Sequence, residues 1–317
     1  MRISLEETAA YLKENDNYLF LCHAHPDGDT LGSALALARA LKIAGKSVFV
    51  RCSDKVGDTL KFLFDGYHDE PFTPECIVAI DVADPKLLGE GYEKKYGDKI
   101  DLCIDHHGSN LLYAKKVCLE EASASTAEMV YFLIGLLGVE ITPDIASCLF
   151  TGVTTDTGCF RFANTTVRTY EIAADLAKKG ADTKNIIIRC FETKTKNFAH
   201  LERLALDSMQ FYLEDKCALI YITKEMFIES GTDDSYTDRL ANLPRQIEGV
   251  TVGVTMRELK SGKIKVSVRT HCDVNASKIC ARLGGGGHPG AAGCTFTCPK
   301  EEAIAKMLEA VRSEICL

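Results

Sequence analysis

The chain has 317 residues, 46% of them apolar and 26% charged, with a formal net charge of −8. That length accommodates two domains more readily than one, each large enough for its own core. The acidic balance, the absence of tryptophan and the lack of dense basic-aromatic interleaving argue against a long nucleic-acid track, and the longest apolar run, Met129 to Val139, is too short to cross a bilayer.

The first residues, Met-Arg-Ile-Ser-Leu-Glu-Glu, hold no signal-peptide apolar segment. Fourteen cysteines occur without a Cys-x-x-Cys pair, and Cys22, Cys76, Cys103 and Cys217 lie inside apolar runs. They read as packed thiols in a reducing compartment, most simply the cytoplasm, rather than as a disulfide framework or a structural zinc site.

In chain order, Tyr18–Cys22 reads as a short buried strand, followed by His23 and the turn Pro26-Asp-Gly28. Asp29-Thr30 is expected to cap a helix over Thr30–Ala44, whose first turns carry Gly32, Ser33, Ala34, Ala36 and Ala38. Strands are predicted at Ser47–Arg51, Cys76–Ile80 and Leu102–Ile104, and helices at Ser125–Leu137, Pro143–Thr151 and Val167–Lys179. This alternation predicts an α/β domain over residues 1–190, with a mostly parallel sheet flanked by helices. In such sheets ligands gather beyond the carboxyl ends of the strands, where His23, Asp81 and Asp105–His107 all fall.

Residues 191–210 read as a polar linker helix. A second, smaller α+β domain is predicted over 211–317, with strands at Cys217–Thr223, Val250–Met256, Lys263–Arg269 and Ala292–Thr297, and helices at Ala276–Leu283 and Lys300–Arg312. Charge separates the halves: residues 211–317 hold 14 basic and 14 acidic side chains, so the whole net charge lies in the first 210. Residues 245–282 hold eight basic against three acidic side chains, which fits either a solvated basic face or a surface facing an anionic substrate across a cleft from the acidic half.

Four segments carry the chemistry: His23-Ala-His-Pro-Asp27-Gly-Asp29, Asp81 in Ile-Asp-Val-Ala-Asp-Pro, Asp105-His106-His107, and Asp156 in Gly-Val-Thr-Thr-Asp-Thr-Gly. Each sits where a buried apolar run gives way to turn residues. Asp27 or Asp29 alone would be an ordinary helix cap. Together Asp27, Asp29, Asp81 and Asp156 carry four negative charges, which would repel without a counter-charge and which two divalent cations cancel. In the second half, Gly284–Gly287 offers backbone N–H groups unobstructed by side chains, His288 follows as a donor, and Arg269-Thr270 stands at a strand end. Gly285-x-Gly287-x-x-Gly290 matches a dinucleotide-binding pattern by letter only, because a helix precedes it and a strand follows. There is no Gly-x-Ser-x-Gly elbow and no Walker A segment.

These motifs, in this order over nearly the whole chain, resemble the DHH phosphoesterases, specifically the stand-alone DHH/DHHA1 proteins of the NanoRNase/pAp-phosphatase type. The resemblance implies two Mn²⁺ ions, with Mg²⁺ or Co²⁺ as substitutes, roughly 3.5–4 Å apart and activating a water for attack on phosphorus. His23 and Asp27 would bind one ion, Asp29, His106 and Asp156 the other, and Asp81 both. Asp105 would support from behind. Because neighbours in an extended loop point apart, His107 would face away from His106, to contact the scissile phosphate or protonate the leaving oxygen, or else to fix Asp105 or a metal ligand by a hydrogen bond. His25 is assigned a turn role at least as readily as a functional one. Arg269, Thr270, Gly285, Gly286, Gly287 and His288 would bind substrate; Thr270 departs from the serine of many relatives but keeps the hydroxyl. The implied substrates are very short oligoribonucleotides and 3′-phosphoadenosine 5′-phosphate (pAp). The rival enzyme is a phosphodiesterase for cyclic di-AMP or linear pApA, the rival of another class a nucleotide-binding regulator without turnover. No membrane partner is expected, and a homodimer is compatible with the sequence.

Overall fold

The computed structural model describes residues 1–271 and 274–315. Its contacts divide the chain into two units, residues 1–193 and 194–317. The first contains strands β1 (Tyr18–Leu21), β2 (Val48–Arg51), β3 (Cys76–Ile80), β4 (Leu102–Asp105) and β5 (Lys116–Leu119). They form one all-parallel sheet in the order β2-β1-β3-β4-β5. Its helices are α1 (Leu5–Glu14), α2 (Gly28–Ile43), α3 (Glu90–Tyr96), α4 (Thr126–Leu137), α5 (Pro143–Asp156), α6 (Val167–Lys178) and α7 (Thr183–Ile187).

Both faces of this sheet are covered, which is why its strands are apolar throughout instead of alternating. Tyr18 and Phe20 of β1 join Val78, Ile80 and Ile104 in a core with α2, α4 and α5. Leu19 and Leu21 face the other way, with Ala79, Cys103, Leu88, Ile100 and Val117. The apolar strand runs read from the sequence therefore correspond to a sheet buried on two sides.

The second unit is built on a six-stranded mixed sheet. Its strands are β6 (Gln210–Tyr212), β7 (Cys217–Ile222), β8 (Val252–Glu258), β9 (Ile264–Thr270), β10 (Gly286–His288) and β11 (Ala291–Phe296). Their order is β10-β11-β9-β8-β7-β6, with only β7 and β8 parallel. The helices are α8 (Lys196–Asp207), α9 (Lys224–Ser230), α10 (Thr237–Leu240), α11 (Ala276–Ala281) and α12 (Lys300–Ile315). Cys217, Leu219 and Tyr221 of β7 pack with residues of α11 and α12. Ile220 and Ile222 pack on the other face with Phe198, Leu201 and Ala205 of α8. The helix at the expected linker thus contributes its apolar stripe to the second unit's core.

Three local differences from the sequence reading matter for the site. Helix α5 runs on to Asp156 instead of stopping at Thr151. The segment Gly286–His288, for which no strand is predicted, is an edge strand paired with Ala291–Gly293. Strand β5 extends the sheet beyond β4.

Candidate active site

The acidic and imidazole side chains of the first unit converge beyond the carboxyl ends of β1, β3 and β4. His23 follows β1. Its Nδ1–H donates to the Ala24 carbonyl (2.8 Å), which leaves Nε2 as the free lone pair. Asp27 is the N-cap of α2, where its Oδ1 accepts from the backbone N–H of Asp29 (3.0 Å) and Thr30 (3.1 Å). The cap is therefore Asp27, not the expected Asp29-Thr30, because Asp29 already lies within the first helical turn.

That turn aims Asp29 inward, where it is 1% exposed. Its carboxylate rests on the N-terminus of α4, accepting from the N–H of Thr126 (2.7 Å) and Ala127 (2.9 Å), and from Ser33 Oγ (3.2 Å). Free N–H groups and the helix dipole both favour a negative charge there. Glycines let the elements come this close: a Cβ on Gly152 would stand 2.6 Å from Ala127 Cβ and 2.8 Å from Asp29 Oδ1, and one on Gly32 would meet the Cys148 carbonyl at 2.4 Å.

Asp81 follows β3 in a left-handed conformation, φ +61°, which few non-glycine residues adopt without a reason. It is 3% exposed, its N–H donates to the Ile104 carbonyl (2.8 Å), and its Oδ1 accepts from Thr126 Oγ1 (2.8 Å). Asp105 ends β4 and is fully buried. Its Oδ1 accepts from the backbone N–H of His106 (2.9 Å) and His107 (3.3 Å) and from His107 Nδ1 (2.8 Å), and its Oδ2 from Asn110 Nδ2 (2.6 Å). Those bonds curl the chain after the strand, so the two imidazoles do not diverge as expected: their ring centroids are 4.4 Å apart.

His106 Nδ1–H donates to the Ser123 carbonyl (3.1 Å), and its Nε2 is buried without a hydrogen-bond partner among the described residues. That nitrogen lies 3.4 Å from Asp156 Oδ2, 3.8 Å from Asp81 Oδ1 and 3.9 Å from Asp29 Oδ2. His23 Nε2 lies 3.6 Å from Asp27 Oδ1 and 3.8 Å from Asp81 Oδ2. Most of these gaps exceed hydrogen-bonding distance and suit atoms that converge on a cation from different sides. The ligand-capable atoms of His23, Asp27 and Asp81 lie within 4.8 Å of one another, as do those of Asp29, His106 and Asp156, and those of Asp81, His106 and His107. One carboxylate, Asp81, is common to two of these sets. The donors are carboxylate oxygens and imidazole nitrogens with no thiolate, a set suited to a divalent first-row ion or magnesium. An orphaned imidazole nitrogen among crowded carboxylates fits a divalent metal.

The electrostatics agree. Burial, together with the charges of Asp29 and Asp27, pushes the Asp156 carboxyl up to about 8. Burial and the neighbouring carboxylates push Asp81 well above its ordinary range. Burial also raises Asp29 against the opposing pull of His106. Asp105 behaves differently: burial opposes its charge, but hydrogen bonds from His107 and Asn110 outweigh it and hold the carboxyl low. The bond to Asp105 in turn raises His107 above the usual imidazole value. His25 lies outside the cluster, exposed at φ +54°, with Nδ1 on Asp54 Oδ2 at 2.8 Å. Thr126 escaped the sequence reading, although it orients both Asp29 and Asp81; the only signal was the Ser125-Thr-Ala-Glu128 helix start.

In the second unit, Arg269 and Thr270 end β9, antiparallel to β11. Arg269 is half-buried and its Nη1 donates to the Val268 carbonyl (3.1 Å). Thr270 is 5% exposed, with its hydroxyl donating to the Pro289 carbonyl (3.1 Å), so it pins β9 to the turn after β10. Gly285 is packed so closely that a Cβ would sit 2.1 Å from the Gly293 carbonyl, whereas Gly286 has open space on its Cα. Gly286, Gly287 and His288 lie exposed along the edge strand.

Residues 17–153 match the DHH family N-terminal domain and residues 216–315 the DHHA1 domain. The chain is 35% identical to the bifunctional oligoribonuclease and PAP phosphatase NrnA of Thermus thermophilus, over 97% of this chain and 93% of that one. The corresponding Bacillus subtilis protein is 24% identical over 89% of this chain and 90% of its own. Among solved structures, an exopolyphosphatase-related protein from Bacteroides fragilis superposes with a TM-score of 0.86 at 26% identity, covering 98% of this chain and 96% of that one. A manganese complex of RecJ from Thermus thermophilus shares the fold at TM-score 0.55 and 13% identity, over 99% of this chain and 55% of its own. The chain is a phosphoesterase, and it belongs to the DHH/DHHA1 family. Among the described residues no helix is long and apolar enough to cross a membrane.

Proposed function

We propose that the protein hydrolyses very short oligoribonucleotides and removes phosphate from pAp, using two Mn²⁺ ions. The observation that carries the reading is the donor cluster divided about Asp81: His23 and Asp27 on one side, Asp29, His106 and Asp156 on the other. In this assignment Asp81, a member of two of the ligand-capable groups, would help to hold both ions. Bound there, the cations would supply Lewis acidity at the phosphate oxygens and a water of lowered pKa. What belongs to the chain itself is orientation, charge and proton delivery. Nδ1–H bonds to Ala24 and Ser123 fix the lone pairs of His23 and His106 toward the centre. The N-terminus of α4 and the Thr126 hydroxyl hold Asp29 and Asp81.

His107 is the general acid in this scheme. Asp105 holds its Nδ1 and raises the imidazole above its ordinary value, which favours the protonated ring that would give a proton to the departing oxygen. Arg269, His288 and the backbone at Gly286 are assigned to a terminal phosphate of the substrate. The named activity of the Thermus and Bacillus relatives supports the choice of short RNA and pAp. A cyclic-di-AMP phosphodiesterase, GdpP of Geobacillus thermodenitrificans, is also related, at 25% identity over 87% of this chain but only 44% of its own. As for oligomeric state, the exposed apolar side chains Phe132 and Leu136 on α4 and Val167 and Tyr170 on α6 are what a homodimer would cover; sedimentation at several concentrations tests that.

The discriminating experiment is a turnover panel of the purified protein with Mn²⁺: ribonucleotides of about two to five residues, pAp, pApA and cyclic di-AMP. The expected result is highest kcat/KM on the short linear RNAs, with phosphate release from pAp. A clear preference for cyclic di-AMP would replace this reading with the diesterase one. Tight binding of nucleotides without turnover at any of the metals tried would establish a regulator instead.

A further inference from the structure

The segment after Asp156 holds the longest left-handed stretch in the first unit: Gly158, Cys159 and Phe160 stand in succession at φ +56°, +58° and +63°. Two of the three are not glycine, and such residues persist there only when surrounding contacts over-determine them. The contacts are on hand. Cys159 N–H donates to the Thr154 carbonyl (2.7 Å), Phe160 N–H to Thr157 Oγ1 (3.1 Å), and the N–H groups of Arg161 and Phe162 to the Thr157 carbonyl (2.9 and 3.0 Å). Arg161 Nε donates to the Gly158 carbonyl (2.6 Å), and Asn164 Nδ2 ties the far end to the carbonyls of Ala124 (2.9 Å) and Asp156 (3.2 Å). None of this is needed to hold the Asp156 side chain, which α5 already positions.

What the strained turn achieves is to send two nearby rings in opposite directions. Phe160 goes inward, stacked on Tyr170 with centroids 5.4 Å apart and 22° between planes. Phe162 goes outward and is 41% exposed. Its ring lies on Gly158, where a Cβ would come within 2.4 Å of the Phe162 ring tip. Part of the ring is thus backed by rigid chain while the rest meets water. A lone exposed phenylalanine is ordinary; one seated on a pinned, strained turn beside a candidate metal ligand asks for a ligand of its own. Gly158 is two residues from Asp156, a backbone span of at most about 7 Å, comparable with the reach from a nucleotide's phosphate to its base.

We propose that Phe162 is a stacking platform for the nucleobase of the nucleotide whose phosphate is cleaved. The proposal rests on the phosphoesterase assignment of the Asp81 cluster and specifies its substrate class: phosphate esters that carry a base, in preference to pyrophosphate or polyphosphate. Because every base presents a π-face, the platform tolerates sequence, which suits a scavenger of mixed short RNA.

The test compares wild type, Phe162→Ala and Phe162→Trp on a dinucleotide and on the same diester with abasic sugars, all in the holoenzyme with Mn²⁺. Wild type is expected to prefer the base-bearing substrate. Phe162→Ala is expected to raise KM for it about ten- to a hundredfold with metal content and abasic turnover unchanged, and Phe162→Trp to restore KM. Equal KM for Phe162→Ala and wild type on the dinucleotide would overturn the platform while leaving the phosphoesterase reading intact. Wild type that cleaves neither diester would overturn that reading, and the platform with it.

Discussion

The first unit's acidic cluster and the second unit's glycine run are equally conspicuous in the sequence, yet the fold explains one of them and not the other. In Gly284–Gly287 the backbone itself consumes most of the signal. Gly284 and Gly287 have φ of +75° and +146°, and Gly285 packs against the Gly293 carbonyl. A residue type required by strand packing carries little information about a ligand. In the first unit the reverse holds. Burying Asp29, Asp81 and Asp156 together raises all three carboxyl pKa values, so the cluster works against stability. A feature the fold must tolerate, rather than one it needs, is the stronger pointer to function.

The sharpest way to break that comparison is to neutralise the shared carboxylate. Asp81→Asn should abolish turnover, by on the order of a thousandfold or more, because an amide presents only one good donor atom to two cations. It should also lower bound metal while stabilising the metal-free fold, since the amide is spared the burial and the repulsion from Asp29, Asp27, Asp105 and Asp156 that oppose ionisation of the carboxyl there. Activity and metal content by elemental analysis read the first claim, and denaturation of the metal-free protein the second. A variant holding two ions at near-normal rate would remove Asp81 from its shared position.

The same contrast predicts a pH dependence confined to the first unit. Asp156 is raised from its ordinary 3.8 to about 8, so the metal-free folded state holds a proton that the unfolded chain releases. The stabilisation is full below pH 3.8 and is lost as pH climbs through about 8. Metal should reverse the trend, because cations displace those protons and bind more tightly as pH rises. Hydrogen exchange, followed separately in each unit, checks this. Protection in residues 1–193 that stays flat with pH in the absence of metal would contradict the raised carboxyls.

On the other side of the comparison, Arg269→Ala and His288→Ala should raise KM for nucleotide substrates without loss of metal. A contact between phosphate and a charged donor is worth about 1.5–3 kcal/mol, or roughly ten- to a hundredfold in KM. Loss of Mn²⁺ from either variant would show that the chemistry is not divided between the units in this way.

Legibility followed the same line. The parallel sheet was readable because its strands are short, apolar and spaced by helices, and His23, Asp81 and Asp105–His107 were found by their place at strand ends. Where the sequence misled, a tertiary contact had overridden a local preference. The helix read from the sequence as Pro143–Thr151 runs on to Asp156. The helix continues through Gly152, where Ala127 and Asp29 press in and a side chain would not fit, and the Thr154 and Thr155 hydroxyls bond back to the Phe150 (2.7 Å) and Thr151 (2.8 Å) carbonyls without ending it. Asp156 therefore sits on a rigid helix end, not on a loop. Strand β10 was invisible because glycines leave no alternation to read. Thr126 was missed because its role depends on α4 meeting β3 and α2, which no local pattern records.

The smallest expected effect is also the finest probe of what the glycines are for. Gly285→Ala puts a methyl group 2.1 Å from a backbone carbonyl that cannot step aside, so it should destabilise the second unit by about 1–3 kcal/mol and lower activity only as the fold is lost. Gly286→Ala meets nothing within 4 Å and has no positive φ to preserve; a compatible Gly-to-Ala change leaves stability unchanged or improves it by up to about 1 kcal/mol. If Gly286 is bare because a phosphate must approach its backbone, the alanine variant should keep its melting behaviour and its metal but show KM raised a few-fold. Thermal denaturation and steady-state kinetics on the two variants separate the cases. Unchanged KM in a stable Gly286→Ala protein would mean that the whole run is there for strand packing, and the second unit's recognition would then have to rest on Arg269 and His288.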